Sequence, residues 1–297
     1  MDRELLSMMV LFSMWADESL IRRSPLLDYS EINVIKHSFE FYCIAFFCII
    51  LVRYFLVAGG SYIVFYSPLS HLFIRPTLPY HRLPSWRSIR KDIQLSVLST
   101  LVFALSAALI MSGYGEGMTR LYSDSDQYGW WYLGVSYGLV LVLQDTYFYF
   151  THRLFHHPTL FRWLHEGHHR SRHPTPWTSF AFDPLEAIVQ SLFLIGIVCV
   201  IPLHFITVIA VLTTMTVWAV LNHLGIDRLP AKFPHHWLAR WFIGPAHHNI
   251  HHLKYGLHYG LYFTFWDRLL GTQDPHYEKN FFVPTDSIIS TSANKML

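Results

Sequence analysis

The sequence predicts an all-α, multi-pass membrane helical bundle carrying a histidine-rich helical cap on its cytosolic side. Three observations lead there. Hydrophobic residues make up 52% of the 297 residues and charged residues only 14%, against about a quarter charged in soluble domains. Several apolar runs reach the roughly 20 residues that a bilayer-crossing helix needs. Twenty histidines are present, and most are gathered into short blocks outside those runs.

Taken in order, residues 1–40 hold an apolar patch from Leu5 to Trp15. It is too short to span and lacks a cleavable signal pattern, so it reads as interfacial. Residues 41–150 carry three spans and a cytosolic connector. The first span runs from about Phe41 to Tyr66, either as one tilted helix or as two packed pieces, with Arg53 its only charge. The second covers about Ile93 to Met111, and the third about Trp130 to Phe150, with Gln144 and Asp145 near its end. Residues 151–184 form a first cytosolic histidine region. The apolar stretch 185–222 is too long for one crossing and is broken near Pro202 and His204, which predicts a membrane hairpin. Residues 223–297 form a second histidine region and the C-terminal tail. The bundle therefore has about four core transmembrane helices, with room for one extra at the N-terminus.

Positive charge orients such a chain, because cytosolic loops are enriched in Lys and Arg. Arg75, Arg82, Arg87, Arg90 and Lys91 follow the first span, whereas the next loop sets Arg120 against Glu116, Asp124 and Asp126. The basic side, and with it every dense histidine block, is expected to face the cytosol. An endoplasmic reticulum or a bacterial cytoplasmic membrane would suit. A net charge of +2 and a pI near 8.4, with no basic stripe, argue against nucleic-acid binding. Cys43, Cys48 and Cys199 lie in apolar runs and support neither a disulfide framework nor an iron–sulfur motif.

The first histidine block, THRLFHHP, sets His152 and His156 four residues apart, on one face of a continuing helix. The second, LHEGHHRSRHP, gives His165, His168 and His169, and the third, AHHNIHH, repeats that spacing with His248, His251 and His252. The three rings of each block are expected to point together. His223, where the last span re-emerges, is a further candidate. These nine imidazoles exceed the needs of one metal and suit two. His37, His71, His81, His204, His235, His236 and His276 have no metal-ligand spacing. Helical phase turns His157, His173 and His258 away from the ligand face, and His247 is a candidate supporting donor.

Imidazole suits iron, zinc and copper alike. No HExxH zinc-protease signature and no nucleophile-elbow motif occurs. Two irons on neutral nitrogen ligands would instead bind and split dioxygen, with zinc a possible substitute. A histidine-rich membrane metal transporter is the competing class, but transporters place ionisable ligands on the spans themselves. A zinc-dependent lipid hydrolase is a third reading, and it predicts turnover without oxygen or reductant.

The spacing HxxxH, HxxHH, HxxHH, laid between and after membrane spans, resembles the fatty acid hydroxylase/sterol desaturase superfamily, and within it the C-5 sterol desaturases. HRLFHHPTLFRWLHEGHH, PTPWTSFAFDPLEA and GPAHHNIHHLKYGLHYGLYFTFWDRLLGT carry that resemblance over roughly residues 140–275. It implies a cytosolic di-iron cap above a lipid tunnel, with His152, His156, His165, His168, His169, His223, His248, His251 and His252 as ligands. Asp227 stands where some relatives have a histidine or aspartate, as a tenth ligand or an orienting group. Where sterol desaturases show a pattern like HAFHP, this chain has Phe180, Ala181, Phe182, Asp183 and Pro184. Trp177, Phe180 and Phe182 are candidate pocket residues.

Hydroxylation or desaturation of a sterol-like or fatty-acyl lipid would follow, with O2 as co-substrate. The chain has no dinucleotide fingerprint, haem-attachment motif or cysteine cluster. Electrons must come from a separate donor, such as cytochrome b5 or a ferredoxin with its reductase. Arg87, Arg90, Lys91, Arg170 and Arg172 would either attract that donor or contact lipid headgroups.

Overall fold

The structure, a computed structural model, describes residues 38–66, 84–225 and 237–277. The interfacial patch at 5–15, the connector arginines Arg75 and Arg82, Asp227, and the tail beyond 277 lie outside the described residues, as do His37, His71, His81, His235 and His236.

Helix α1 spans Phe39–Tyr66 and starts where the Ser38 side chain accepts a hydrogen bond from Phe41 N at 3.3 Å. It is one continuous rod rather than two packed pieces. Its Phe55–Gly59 segment is a π-helical turn, which widens the helix locally without ending it. Gly59 is needed there, because a Cβ would sit 3.0 Å from the Trp177 ring.

Helix α2, Trp86–Gly115, is capped by Ser85. At 30 residues and about 1.5 Å per residue it is longer than a bilayer core, so its basic first turns emerge from the apolar slab. Helix α3 covers Trp130–Phe155, one turn more than the predicted span. Helices α4, Pro158–Leu164, and α5, Glu166–His169, follow at the histidine end. The hairpin is formed by α6, Pro184–Val200, and α7, Phe205–Asn222. Beyond it come α8, Pro245–Lys254, and α9, Phe265–Leu269.

Among the described residues, α1, α2 and α7 are long and apolar enough to cross a membrane, and α6 is a shorter apolar helix. Helix α3 is diluted by tyrosine and tryptophan and turns Ser136, Gln144, Asp145 and His152 inward. Strands β1, Leu121–Tyr122, and β2, Leu203–His204, pair in parallel, with Leu121 opposite Leu203. That pairing joins the α2–α3 loop to the α6–α7 turn, so α3 and α6 run between the same two levels as α2 and α7. His204 closes this end by accepting from Ile206 N at 3.0 Å and donating to Ser123 O at 2.7 Å. The membrane helical bundle expected from composition is the observed architecture.

Two apolar cores stack along it. Ile110, Leu121, Val140, Val198, Leu203 and Val211 fill the end with the paired strands. Ile50, Tyr54, Ala58, Ala104, Phe180 and Val220 fill the region beneath the histidines.

Buried carboxylates tie the cap to the bundle. Asp145 Oδ1 on α3 accepts from the backbone nitrogens of Leu261, Tyr262 and Phe263 at 3.1, 2.7 and 3.1 Å. Asp92 on α2 accepts from Ser171 Oγ at 2.7 Å and Thr178 Oγ1 at 2.8 Å. Within the cap itself, Asp267 accepts from Tyr259 N, Gly260 N and Thr272 Oγ1.

Candidate metal centre

Each histidine reaches the centre from a helix end. His152 lies in the last turn of α3 and His156 is its C-terminal cap. His165 sits at the break between α4 and α5, so the second block is not one continuous helix. His168 and His169 lie on α5, His223 caps the C-terminus of α7, and His248, His251 and His252 lie on α8. The tight turn at the second block requires Gly167. Its backbone nitrogen donates to Asp183 Oδ2 at 2.7 Å, and any Cβ would collide with that carboxylate.

All nine rings converge, but they divide. His152, His156, His165, His169 and His251 form one group, and His168, His223, His248 and His252 form the other. Within each group, one ring nitrogen from every member lies within 4.8 Å of the rest. The expectation that each block points at one place is thereby corrected. At about 100° per residue, i and i+4 are nearly aligned while adjacent residues diverge. The pairs 152/156, 165/169 and 248/252 therefore stay together, and the dipeptides His168–His169 and His251–His252 each send one ring to each group.

The hydrogen bonds fix which nitrogen faces inward. Nδ1 of His152, His168, His223 and His251 meets the carbonyl oxygens of Tyr259, Ala181, Ala219 and Leu257 at 3.0, 3.1, 2.6 and 2.7 Å. A carbonyl has no hydrogen to give, so each of these Nδ1 atoms carries the proton and donates. Each Nε2 is left as a bare lone pair. Nevertheless Nε2 of His168 and His223 lie 3.3 Å apart, His223 and His248 3.0 Å, His169 and His251 3.0 Å, and His152 and His165 3.0 Å. His168 and His223 have no hydrogen to place between them. Lone pairs facing one another across a buried site repel unless a cation lies among them, so these residues fit metal ions and can hold them.

Burial keeps the rings uncharged. Desolvation pushes His168 down to about 4, partly countered by its bond to Ala181, and pushes His223 down to about 3. His156 is likewise pushed down to about 3, and desolvation followed by neighbouring rings holds His251 and His252 far below the ordinary histidine value. Neutral imidazole is the form that binds metal.

A cavity touches both groups, lined by Phe148, Phe182, Ala219, Asn222 and Leu261 together with Glu186. Of the three candidate pocket aromatics, Phe182 lines it and stacks on His168 at 5.7 Å and 7°. Trp177 and Phe180 do not line it and instead pack against Tyr54 of α1. Their backbone is clamped from two helices, with Tyr54 Oη donating to Trp177 O and Ser99 Oγ to Phe180 O.

The other histidines are placed by different needs. His247 Nδ1 accepts from Gly244 N at 3.1 Å, starting α8, and its ring stacks on Tyr277. It belongs to neither group. His258 is buried with φ +57 and accepts from Asp274 N. His157 and His173 are exposed. Sequence reasoning missed Asp183, Glu186 and Asn222 as site residues, and it left Asp145 without a role. A carboxylate opening an apolar run, as Glu186 does, was the available signal.

A family model described as fatty acid hydroxylase matches residues 137–272, the stretch that holds every ring of both groups. A Delta(7)-sterol 5(6)-desaturase of Aspergillus fumigatus is 31% identical over 237 residues, 73% of this chain and 72% of that protein. A lathosterol oxidase of Rattus norvegicus is 31% identical over 219 residues, 72% of this chain and 71% of that protein. The chain belongs to the fatty acid hydroxylase family. As a member it is a membrane oxidoreductase. A Delta(7)-sterol 5(6)-desaturase of Gibberella zeae is 32% identical over 216 residues, and the match spans 65% of that relative's length. No solved structure matches the chain.

Proposed function

We propose that this family member is an O2-dependent di-iron oxidoreductase that desaturates a sterol-like lipid at a site on the cytosolic face of the membrane. The observation that carries the reading is the pair of inward-facing Nε2 groups, whose geometry suits two cations. Two irons held there would supply, with dioxygen, the oxidising power to break an unactivated C–H bond.

The chain's own residues do the rest. His152, His156, His165, His169 and His251 would hold one ion, and His168, His223, His248 and His252 the other. Backbone carbonyls at Tyr259, Ala181, Ala219 and Leu257 fix the ring orientations in advance, so little reorganisation accompanies loading. Eight of the nine rings are buried and His156 is half-buried, which excludes water from the reacting carbon. Phe148, Phe182, Ala219 and Leu261 give the cavity the apolar surface a hydrocarbon substrate needs. The sterol class rests on the names of the relatives and on this apolar lining.

Desaturation consumes one O2, two electrons and two protons per two hydrogens removed and releases two waters; hydroxylation has the same electron demand. A separate acidic carrier such as cytochrome b5 or a ferredoxin would deliver those electrons. Exposed Arg87, Arg90 and Lys91 at the start of α2 are brought beside exposed Arg170 and Arg172, since Ser88 Oγ lies 3.4 Å from Ser171 Oγ. That gathered charge supports docking of an anionic protein next to His168 and His169.

The test is lipid mass spectrometry on cells expressing the wild type beside His251→Ala. A wild-type-specific product lacking two hydrogens is expected. A product one oxygen heavier would make the enzyme a hydroxylase. An unchanged lipid profile, or turnover of purified protein without O2 and reductant, would overturn the proposal.

A further inference from the structure

Four of the nine rings have their outward nitrogen tied to a backbone carbonyl, but His165 is treated differently. Its Nδ1 lies 2.8 Å from Oε2 of Glu186, off the alignment of a regular hydrogen bond. Both side chains are buried, at 2% and 0% exposure. Neither His165 Nδ1 nor either Glu186 oxygen has a hydrogen-bond partner elsewhere among the described residues. A buried carboxyl group with no other partner is costly, so its placement needs a reason.

The local sequence supplies the means. Pro184 opens α6 and Asp183 caps it, putting Glu186 in the first turn, where the helix dipole favours a carboxylate. Asp183 reaches Gly167 N on one side while Glu186 reaches His165 on the other. The DPLE run thus holds the second histidine block from both ends. No contact of comparable kind joins a carboxylate to the rings of the His168 group among the described residues; His168 and His223 there lean on carbonyl oxygens.

We propose that Glu186 is a positioning residue that makes the two metal sites unequal. It holds His165 with Nε2 turned inward, and it sets a carboxyl group behind the five-histidine site, with none behind the four-histidine site among the described residues. That site should bind its ion more tightly than the four-histidine site, because a carboxylate behind an imidazole raises the ligand's donor strength. The inference rests on the two-metal reading above and adds to it an order of affinity and the residue that sets it.

The experiment uses full-length protein purified in detergent and loaded with iron. Metal content is measured after dialysis against graded chelator, and Mössbauer spectra are recorded, for wild type, Glu186→Gln and Glu186→Leu. The wild type is expected to hold two irons that leave at different chelator concentrations. Glu186→Gln, which keeps an acceptor of nearly the same shape, should move the tighter release toward the weaker by roughly 10-fold and alter one of two Mössbauer signals. Glu186→Leu should shift it by roughly 100-fold, the upper end for lost support of a ligand. If Glu186→Leu does not fold, the glutamine variant decides alone. Release curves and spectra unchanged in Glu186→Gln, or both sites weakened equally, would overturn the inference while leaving two-metal binding intact. A wild type that holds no pair of irons would instead sink the functional reading beneath it.

Discussion

At the scale of single residues, the centre depends on imidazoles kept neutral by burial. His168 titrates near 4, and His156 and His223 near 3, whereas in the unfolded chain each would titrate near 6.5. Between those values the unfolded state binds more protons than the folded one, so stability rises with pH across that window. Metal-free protein should therefore have its full stability above about pH 6.5 and lose it steadily toward pH 4. Thermal unfolding in detergent at stepped pH checks this, and a flat profile would contradict it. The division of rings makes a second claim at this scale. His251→Ala and His252→Ala each strip a ligand from a different group, so each should lower bound metal from two equivalents toward one, and the double variant toward none. Gly167→Ala drives a methyl into the Asp183 carboxylate, and overpacking of this kind costs about 1–3 kcal/mol. A lowered melting temperature with weakened metal retention is the expected readout.

At the scale of elements, the cap is not free to choose its height above the bundle. The 261–263 segment hangs from α3 by three backbone nitrogens on one oxygen of Asp145. Tyr262 adds a bond to Gln144 Oε1 at 2.9 Å. Removing the carboxylate leaves those donors buried without partners, at about 1–3 kcal/mol each. Asp145→Ala should therefore destabilise the protein by at least about 3 kcal/mol, and Asp145→Asn by less, because one acceptor remains. Unfolding followed by tryptophan fluorescence would measure both. Two residues before that segment lies Tyr259, whose carbonyl orients His152, so metal affinity should fall alongside stability.

At the scale of the whole molecule, the paired strands and the histidines lie at opposite ends of the same helices. If the histidine end faces the cytosol, an exposed site such as Arg172 and one such as Asp126 must lie on opposite sides of the membrane. With Cys43, Cys48 and Cys199 replaced, Arg172→Cys should react with an impermeant thiol reagent only from the cytosolic side and Asp126→Cys only from the other. Labelling of both from one side would refute the topology.

Composition alone determined that this chain needs lipid around it, because its apolar content leaves too few charges to cover a soluble surface. The histidine spacing marked eight of the nine candidate rings, since blocks of histidines at i, i+3 and i+4 outside the apolar runs are a ligand pattern whatever the packing. His223 came from its place at the end of the last span and from the resemblance. Of the predicted spans, α1, α2 and α7 are helices long and apolar enough to cross a membrane among the described residues, whereas α3 and α6 are not among them. Which ring joins which group was decided by tertiary structure, because that depends on how α3, α5, α7 and α8 are turned toward one another. The roles of Asp183, Glu186 and Asp145 came from the fold as well. Each acts on a partner distant in sequence, or around a turn whose geometry no residue pattern encodes. Trp177 and Phe180 were read as pocket residues because aromatic character is local, whereas facing the cavity or facing α1 is a property of packing.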